Sequence, residues 1–175
     1  MKKLGHFLLL LAFVSPAYAD LKITIPAIKN GVIETVHACN KNGGQNVSPE
    51  IQINGVTENA KFVSLVMDDP DAQPVAGKTW VHWNIFNMPV VDGSVTLSAG
   101  KKPSGTVGKG SKGRSKYDGM CPPNGRHTYR FAVFSHENEV KAPSGFSAKG
   151  LTIEDFEKKY KDSIKEKVMI TGDFG

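Results

Sequence analysis

Residues 61–67 constrain the fold more than any other part of the chain. Their sequence, KFVSLVM, alternates so that Phe62, Ser64 and Val66 share one face of an extended strand and their neighbours share the other. Both faces are mostly apolar, which is typical of a strand in the middle of a sheet that is covered on both sides. We therefore expect a central strand that leads directly into the acidic sequence DDPD.

Other segments alternate in the same way and are separated by clusters of turn-forming residues. We predict strands at residues 21–25, 31–38, 51–54, 79–88, 94–97, 127–135 and 167–170. Two stretches rich in glycine and polar residues, 40–49 and 99–119, are predicted loops. The chain is therefore expected to be mostly β.

Two of the predicted strands carry histidines beside aromatic or polar neighbours. The alternation places His82 on one face with Trp80 and Asn84, and it places His127 on one face with Tyr129. Together with the acidic turn, these strands hold most of the residues that can donate protons, accept them or carry charge. We expect them to form one pocket.

One segment near the C-terminus has a helical period instead. Thr152 is followed three positions later by an acidic residue, as in a helix N-cap. The apolar residues that follow at helical spacing are Ile153, Phe156, Tyr160 and Ile164. We predict a single amphipathic helix here.

The N-terminus has the parts of a secretory signal peptide. Lys2 and Lys3 supply the positive charge, and residues 7–14 form an apolar segment that is too short to span a bilayer. Residues 17–19, AYA, provide small residues at the cleavage position. We expect cleavage after Ala19 and a periplasmic or secreted protein without a membrane-spanning segment. An uncleaved anchor is the alternative, but no stop-transfer segment follows.

Residues 20–175 are within the usual size of one domain, and we predict one. The chain has 22 basic and 17 acidic residues, so only a weak positive charge remains without Lys2 and Lys3. Much of that charge lies in one stretch, as Lys101, Lys102, Lys109, Lys112, Arg114 and Lys116. A solvated loop is the usual interpretation, and an anion-binding surface is the alternative. No nucleic-acid-binding module is recognisable.

The chain has two cysteines, Cys39 and Cys121. In an oxidising compartment such a pair is usually a disulfide. It would close a loop of about 80 residues, for which the chain-entropy model gives at most roughly 4 to 5 kcal/mol. The bridge would pin the segment before His127 to the loop at residues 40–48. A catalytic cysteine is the alternative, and the even count favours the disulfide.

Motifs of several enzyme classes do not occur in the sequence. There is no P-loop, no G-x-S-x-G and no H-E-x-x-H, and the G-x-G-x-x-G at residues 108–113 lies outside any βαβ pattern. The remaining candidates for site chemistry are Asp68, Asp69, Asp71 and His82. An Asp-Pro-Asp turn is usually only a turn, and a lone strand histidine is usually a core residue. From composition alone, a functional site and a purely structural role of these residues are about equally favoured.

Three segments resemble the signature segments of a known family. DPDAQP, WVHWNIFNMP and CPPNGRHTYRF, in this order, resemble those of the phosphatidylethanolamine-binding proteins, also called Raf kinase inhibitor-like proteins, and most closely their bacterial exported branch. The resemblance covers nearly all of residues 20–175. It implies a mostly β fold with minor α content, in which a large central antiparallel β-sheet packs on a smaller sheet, with a C-terminal helix. It also implies a small surface pocket that accepts phosphate-like anions and phospholipid headgroups.

The resemblance carries over to a set of ligand-binding residues. The positions that match the family motifs are Asp69, Asp71, His82, Pro122, Pro123, His127 and Tyr129. Protonated His82 and His127 would donate to an anion, and Tyr129 offers a hydroxyl. Asp69 would orient a histidine or accept from an ammonium headgroup, and the prolines would shape the rim. Two positions depart from the family pattern: Gln73 is inserted before Pro74, where it could reshape the pocket lip, and Met120 replaces a common proline, where it could loosen that lip.

We therefore expect a non-enzymatic protein that binds small anionic or phosphorylated ligands, without a metal or other cofactor. If histidine charge drives capture, affinity should rise as the pH falls through the histidine range near roughly 6.5. One alternative is a modulator or inhibitor of a protein partner, such as a kinase or a protease. A less favoured alternative is a hydrolase that uses Asp69 and His82, for which the sequence has no nucleophile motif.

Overall fold

A computed structural model describes residues 20–175, and the signal peptide expected at residues 1–19 lies outside this range. The strands are β1 (Lys22–Thr24), β2 (Ile28–Lys29), β3 (Val32–Ile33), β4 (Ile51–Asn54), β5 (Phe62–Asp69), β6 (Trp80–Pro89), β7 (Ser94–Leu97), β8 (Thr106–Val107), β9 (His127–His136) and β10 (Ile164–Phe174). The helices are α1 (Gln73–Ala76) and α2 (Ile153–Tyr160), with 3₁₀ turns at Thr35–His37, Asn40–Asn42 and Pro70–Ala72. None of the helices described is long and apolar enough to cross a membrane.

The strands form two sheets, which confirms the predicted architecture. The smaller sheet has the order β1-β4-β7, and the larger has the order β2-β3-β10-β9-β5-β6-β8. All pairs are antiparallel except β3 with β10. A tight hairpin at Asn30 and Gly31, both at positive φ, reverses the chain between β2 and β3. After this reversal β3 runs parallel to β10. The predicted strand at residues 31–38 is correspondingly short, since its second half forms a 3₁₀ turn.

The large sheet is covered on both faces, as the pattern of β5 predicts. On one face, Leu65 and Met67 of β5 share a buried cluster with Ile53 of the small sheet. On the other face, Val66 of β5 shares a second buried cluster with Phe156 of α2. Each fully buried side chain of this size contributes roughly 1.5 to 3 kcal/mol, so both faces of β5 contribute to stability.

Two element boundaries differ from the sequence prediction. β5 continues to Asp69, so Asp68 and Asp69 belong to the strand rather than to a turn. α2 ends at Tyr160, and Ile164, which helical spacing assigns to the helix, instead begins β10 opposite His136. Hydrogen bonding to β9 therefore overrides the helical spacing at this position.

The start of α2 follows the predicted capping pattern. Oγ1 of Thr152 accepts a hydrogen bond from the Asp155 N–H at 3.1 Å, and the Asp155 carboxylate accepts one from the Thr152 N–H at 3.4 Å. Ile153, Phe156 and Tyr160 are buried against the sheet. The helix thus begins at a fixed residue and presents a fixed face.

The carboxylate of Asp68 joins three elements in the interior. It is fully buried, and Arg130 of β9 donates to both of its oxygens at 2.8 and 2.9 Å. The N–H of Ile153, in the first turn of α2, donates to the same carboxylate at 2.9 Å. Arg130 also donates to Glu154 at 2.7 Å. These bonds connect β5, β9 and α2.

Replacing Arg130 with alanine should lower the free energy of unfolding by about 3 kcal/mol, because it leaves a buried carboxylate without its counter-ion. Arg126→Ala is the matched control. The Arg126 side chain is exposed and lies 3.9 Å from Asp173, so its replacement should lower the free energy of unfolding by less than about 0.5 kcal/mol. Urea unfolding measures both. Equal losses in the two variants would contradict the role of Arg130 as the counter-ion of Asp68. The double variant Asp68→Asn with Arg130→Met, which removes both charges, should recover part of the stability lost in Arg130→Ala.

Candidate functional site

A pocket of about 320 Å³ opens where β5 ends and where β6 and β9 begin. This volume is at the small end of the range for ligand sites. The residues that line it are Asp69, Ala72, Val75, Ala76, Trp80, His82, Lys112, Gly119, Cys121, Pro122, Pro123 and His127. Most of the wall is apolar, and titratable groups enter it at only a few points.

The buried carboxylate of Asp69 has two partners. Oδ1 accepts a hydrogen bond from the Ala72 N–H at 3.1 Å, and Oδ2 accepts one from Nδ1 of His127 at 2.8 Å. Because a carboxylate can only accept, Nδ1 of His127 carries the proton. Nε2 is then the ring atom available to a ligand, and Asp69 holds the ring in orientation.

His82 lies at a β-bulge in β6. Met67 pairs with Trp83 while the next residue of β5 pairs with Val81, so His82 is the extra residue. The bulge shifts the alternation of side chains by one position. The amide of Asn84 therefore bonds to the backbone just before α2, whereas His82 lines the pocket. The prediction that His82 and Asn84 share a face is wrong for this reason.

The imidazole of His82 is held with one nitrogen unpaired. Nδ1 donates to the carbonyl oxygen of Asp118 at 2.7 Å, which fixes the proton on that nitrogen. Nε2 is buried, and residues 20–175 offer it no hydrogen-bond partner. Burial lowers the pKa of His82, and the bond to Asp118 and the charge of Asp69 only partly oppose this. Nε2 of the neutral ring is therefore an acceptor.

The hydroxyl of Tyr129 is the second buried polar atom that forms no well-aligned hydrogen bond within residues 20–175, although the backbone of Cys121 lies close enough to act on its pKa. Its ring is fully buried directly behind the pocket wall, edge-on to His82 at 5.2 Å and stacked on His127 at 6.4 Å between centroids. Burial, and then the charge of Asp69, raise the pKa of Tyr129 far above its ordinary value. It therefore stays protonated and can donate.

The structure does not bring Asp71 to the pocket wall. Its side chain is exposed, and Oδ2 accepts a hydrogen bond from the Thr128 N–H at 2.8 Å. Asp71 thus ties the 3₁₀ turn after β5 to the start of β9. The three aspartates that are adjacent in sequence are separated in space, because each has a different partner.

A disulfide between Cys39 and Cys121 fixes the opposite wall. Cys121, Pro122 and Pro123 line the pocket, and the amide of Asn42 donates to the Pro122 carbonyl at 3.0 Å. The wall is thus tied to the loop at residues 40–48, as the cysteine pair predicts.

The two departures from the family pattern have different consequences. Met120 is fully buried in the core, and its carbonyl accepts from the Cys39 N–H at 2.9 Å, so its own position is fixed, while its effect on the lip stays a prediction. Gln73 begins α1, whose residues Val75 and Ala76 line the pocket mouth. The insertion therefore lies in the turn of helix that forms one lip.

Lys112 gives the pocket a positive charge that the sequence motifs do not indicate. Its Nζ lies 3.2 Å from Oδ1 of Asp118, and Arg114 donates to the same oxygen at 2.9 Å. Asp118 thus positions Lys112 through its side chain and His82 through its carbonyl. The sequence offers only the basic run as a signal, and that run does not distinguish Lys112 from its neighbours.

The residues named by the hydrolase alternative do not pair with each other. Asp69 pairs with His127 rather than with His82, so the acid–base pair of the hydrolase alternative is not formed. The pocket wall described above contains no serine or threonine, and its cysteine is in a disulfide. Residues 20–175 contain no group of histidine, cysteine or acidic side chains arranged to hold a metal ion.

Fold and pocket define a class: a two-sheet β protein with a small, mostly apolar pocket where three strands of the large sheet meet. The model of the family described as phosphatidylethanolamine-binding protein matches residues 24–175. The chain belongs to this family, which confirms the resemblance of its motifs.

Individual relatives agree with this assignment. The chain is 36% identical over 121 residues to a UPF0098 protein of Methanothermobacter thermautotrophicus, covering 67% of this chain and 76% of the relative. It is 32% identical over 156 residues to UPF0098 protein YbcL of Escherichia coli, covering 82% and 84%. The crystal structure of YbcL, described as a new member of the mammalian PEBP family, matches with a TM-score of 0.72 at 25% identity, over 89% of this chain and 98% of that one. A PEBP homologue from Chlamydia trachomatis shares the fold, with a TM-score of 0.71 at 23% identity over 89% and 97%.

In the ligand-free protein His82 should titrate below the ordinary histidine value of about 6.5 and should carry its proton on Nδ1. A pH titration by ¹⁵N NMR of the imidazoles measures both. A histidine with a lowered pKa binds its proton more readily in the unfolded chain than in the folded protein, so the free energy of unfolding should decrease as the pH falls below about 6.5. Burial also lowers the pKa of His136, which acts in the same direction. A His82 pKa at or above 6.5, or a proton on Nε2, would contradict this assignment.

Proposed function

We propose that the protein is an exported, non-enzymatic binding protein for small anionic ligands, chiefly phosphate and phosphate monoesters of the headgroup type. The observation that carries the proposal is Nε2 of His82, a buried atom of a pocket-lining residue that has no partner within residues 20–175. An unpaired buried polar atom costs roughly 1 to 3 kcal/mol. A ligand that offers Nε2 a hydrogen bond would offset that cost.

Three groups can act on the negative charge of the ligand. Lys112 lines the pocket and carries a positive charge, and Tyr129, whose ring packs against His82 and His127, keeps a protonated hydroxyl. Nε2 of His127 adds a third donor whenever the ring carries a proton on both nitrogens, since Nδ1 is already bonded to Asp69. These groups come from a loop and from β9, so the fold itself brings them together.

His82 gives the site a requirement of the opposite kind. Its neutral Nε2 accepts a hydrogen bond and would oppose a fully deprotonated oxyanion. For a ligand whose only polar group is a phosphate, binding therefore requires one proton, either on a phosphate oxygen that donates to Nε2 or on the imidazole itself. This replaces the expectation that a histidine already charged near neutral pH attracts the anion, because burial lowers the pKa of His82.

The rest of the pocket suits a short apolar substituent on the anion. Ala72, Val75, Ala76 and Trp80 form one side, and Pro122 is buried opposite them. Such a wall favours an ester over an inorganic ion. No nucleophile is placed beside the candidate acid and base, which supports binding rather than turnover.

Export is part of the proposal. Residues 1–19 have the composition of a secretory signal peptide, and the Cys39–Cys121 disulfide suits an oxidising compartment such as the periplasm.

Binding of methyl phosphate, which has no ammonium group to donate to Nε2, should take up about one proton per site near pH 7.5, because a phosphate monoester is mostly a dianion above its second pKa of about 6. Isothermal titration in buffers of different ionisation enthalpy measures this uptake. His82→Asn keeps an N–H for the Asp118 carbonyl but removes Nε2, and it should lower both the uptake and the affinity, the latter about tenfold.

His136→Asn is the matched control for this experiment. His136 is also a buried histidine whose Nδ1 donates to a backbone carbonyl, at 2.9 Å, but it lies at the far end of β9 from His127. The His136→Asn variant should bind the ligand of this titration with the affinity and the proton uptake of the wild type. Binding without proton uptake, or equal effects of the two substitutions, would contradict the role of His82. No binding of phosphate or its monoesters at all would overturn the proposed function.

Lys112→Gln should weaken phosphoethanolamine binding about fivefold, the effect of one charge contact in water. Its side chain is half exposed, so the substitution should leave the fold intact. Lys158→Gln on the exposed face of α2 makes the same change in net charge away from the pocket and should have no effect. Equal affinities for the two variants would remove Lys112 from the site.

A further inference from the structure

A second cleft, of about 350 Å³, is lined by other residues of the basic stretch. Its walls are formed by Asn46, Val47, Ser48, Trp83, Gly100, Lys101, Lys102, Pro103, Val107, Ser115, Lys116 and Tyr117. Three of these residues are lysines, and no acidic side chain is among them. We call this feature the lysine cleft.

The basic stretch divides into two groups in the structure. Lys112 and Arg114 pair with Asp118, and Lys109 donates to the carbonyls of Gly145 and Phe146. The other three, Lys101, Lys102 and Lys116, are exposed and form no ion pair with the carboxylates of residues 20–175. These three unpaired cations are the ones that line the lysine cleft.

The walls that carry the lysines are anchored by hydrogen bonds to neighbouring loops. The N–H of Gly100 donates to both the carbonyl and the hydroxyl of Ser48, at 3.0 and 3.2 Å, which holds the loop of Lys101. The hydroxyl of Tyr117 donates to the His37 carbonyl at 2.8 Å, which holds the loop of Lys116. The backbone segments that carry Lys101 and Lys116 are therefore both anchored beside the same cleft.

We propose that the lysine cleft is a second ligand site, separate from the pocket, for a compact polyanion that carries two or more phosphate or sulfate groups. Like charges held together without a counter-ion repel, and a polyanion that spans both walls removes that repulsion. Lysine ammonium groups are point charges without the planar fork of arginine, so they suit oxyanions of varied geometry. The hydroxyls of Ser48 and Ser115 can add hydrogen bonds.

The shape of the cleft favours a small molecule over a surface. Its volume is close to that of the pocket and is within the range of small-ligand sites. A flat anionic bilayer would reach the rim lysines but not the interior, where Trp83 and Tyr117 pack edge-on at 5.4 Å. The cleft thus selects for a ligand that enters it.

The two tryptophans of the chain allow the two sites to be observed separately, since Trp80 lines the pocket and Trp83 lines the lysine cleft. Tripolyphosphate is the probe, titrated into the purified ¹⁵N-labelled protein while the two indole N–H signals are followed by NMR. We expect the Trp83 signal to shift in wild type and in the Lys112→Gln variant. Calorimetry under the same conditions gives the affinity.

Two double variants carry equal changes in net charge. Lys101→Gln with Lys116→Gln should weaken tripolyphosphate binding at the Trp83 signal about tenfold or more, since two charge contacts are lost. Lys158→Gln with Lys161→Gln, on the exposed side of α2 and just after it, should bind within about twofold of wild type. These substitutions change exposed side chains only, so the fold should be retained.

Several results would overturn the proposal. These are no shift of the Trp83 signal, a shift of Trp80 alone, or equal losses in the two double variants, which would indicate a non-specific charge effect. A further arm measures sedimentation with vesicles of phosphatidylcholine with and without phosphatidylglycerol. Vesicle binding that depends on Lys101 and Lys116, without binding of tripolyphosphate, would replace the small polyanion with a membrane surface.

Discussion

The buried ion pair of Asp68 and Arg130 is the contact on which the arrangement of the site depends. It joins β5 to β9 and, through the Ile153 N–H, to the first turn of α2. Successive strand residues face opposite sides of a sheet, so the carboxylate that locks β5 against α2 also sets the direction of Asp69. Asp69 then orients His127 on the pocket face. The end of β5 therefore supplies both Asp68, which holds β5, β9 and α2 together, and Asp69, which orients a histidine of the pocket.

The parts of the fold that sequence predicts well are those set by local patterns. The apolar alternation of β5 predicts its coverage on both faces, and Thr152 with Asp155 predicts the start of α2, because each pattern is complete within a few residues. The bulge at His82 is different. It depends on the register of β6 against β5, which no local pattern of β6 encodes, so the faces beyond it, including that of Asn84, cannot be predicted.

The candidate site shows the same division. The family motifs identify Asp69, His82, His127 and Tyr129, which the structure brings together. They do not reveal that Asp69 pairs with His127, or that Asp118 positions both His82 and Lys112. The first contact depends on the pairing of β5 with β9. The contacts of Asp118 depend on the path of a long glycine-rich loop whose sequence has no strong preference for one conformation. Composition likewise groups the three aspartates, although their partners separate them in space.

The two proposed sites, the pocket and the lysine cleft, would differ in the anions that they distinguish. The cleft is lined by unpaired cations, so it would attract phosphate and sulfate groups alike. The pocket adds an acceptor, Nε2 of His82, to the donors Tyr129 and Lys112. An acceptor disfavours an oxyanion that has no proton near neutral pH, as sulfate has none, and favours phosphate, which can carry one. Burial is the cause, because it keeps the ring neutral, and so the same desolvation that weakens histidine as a cation gives the pocket a basis for selectivity.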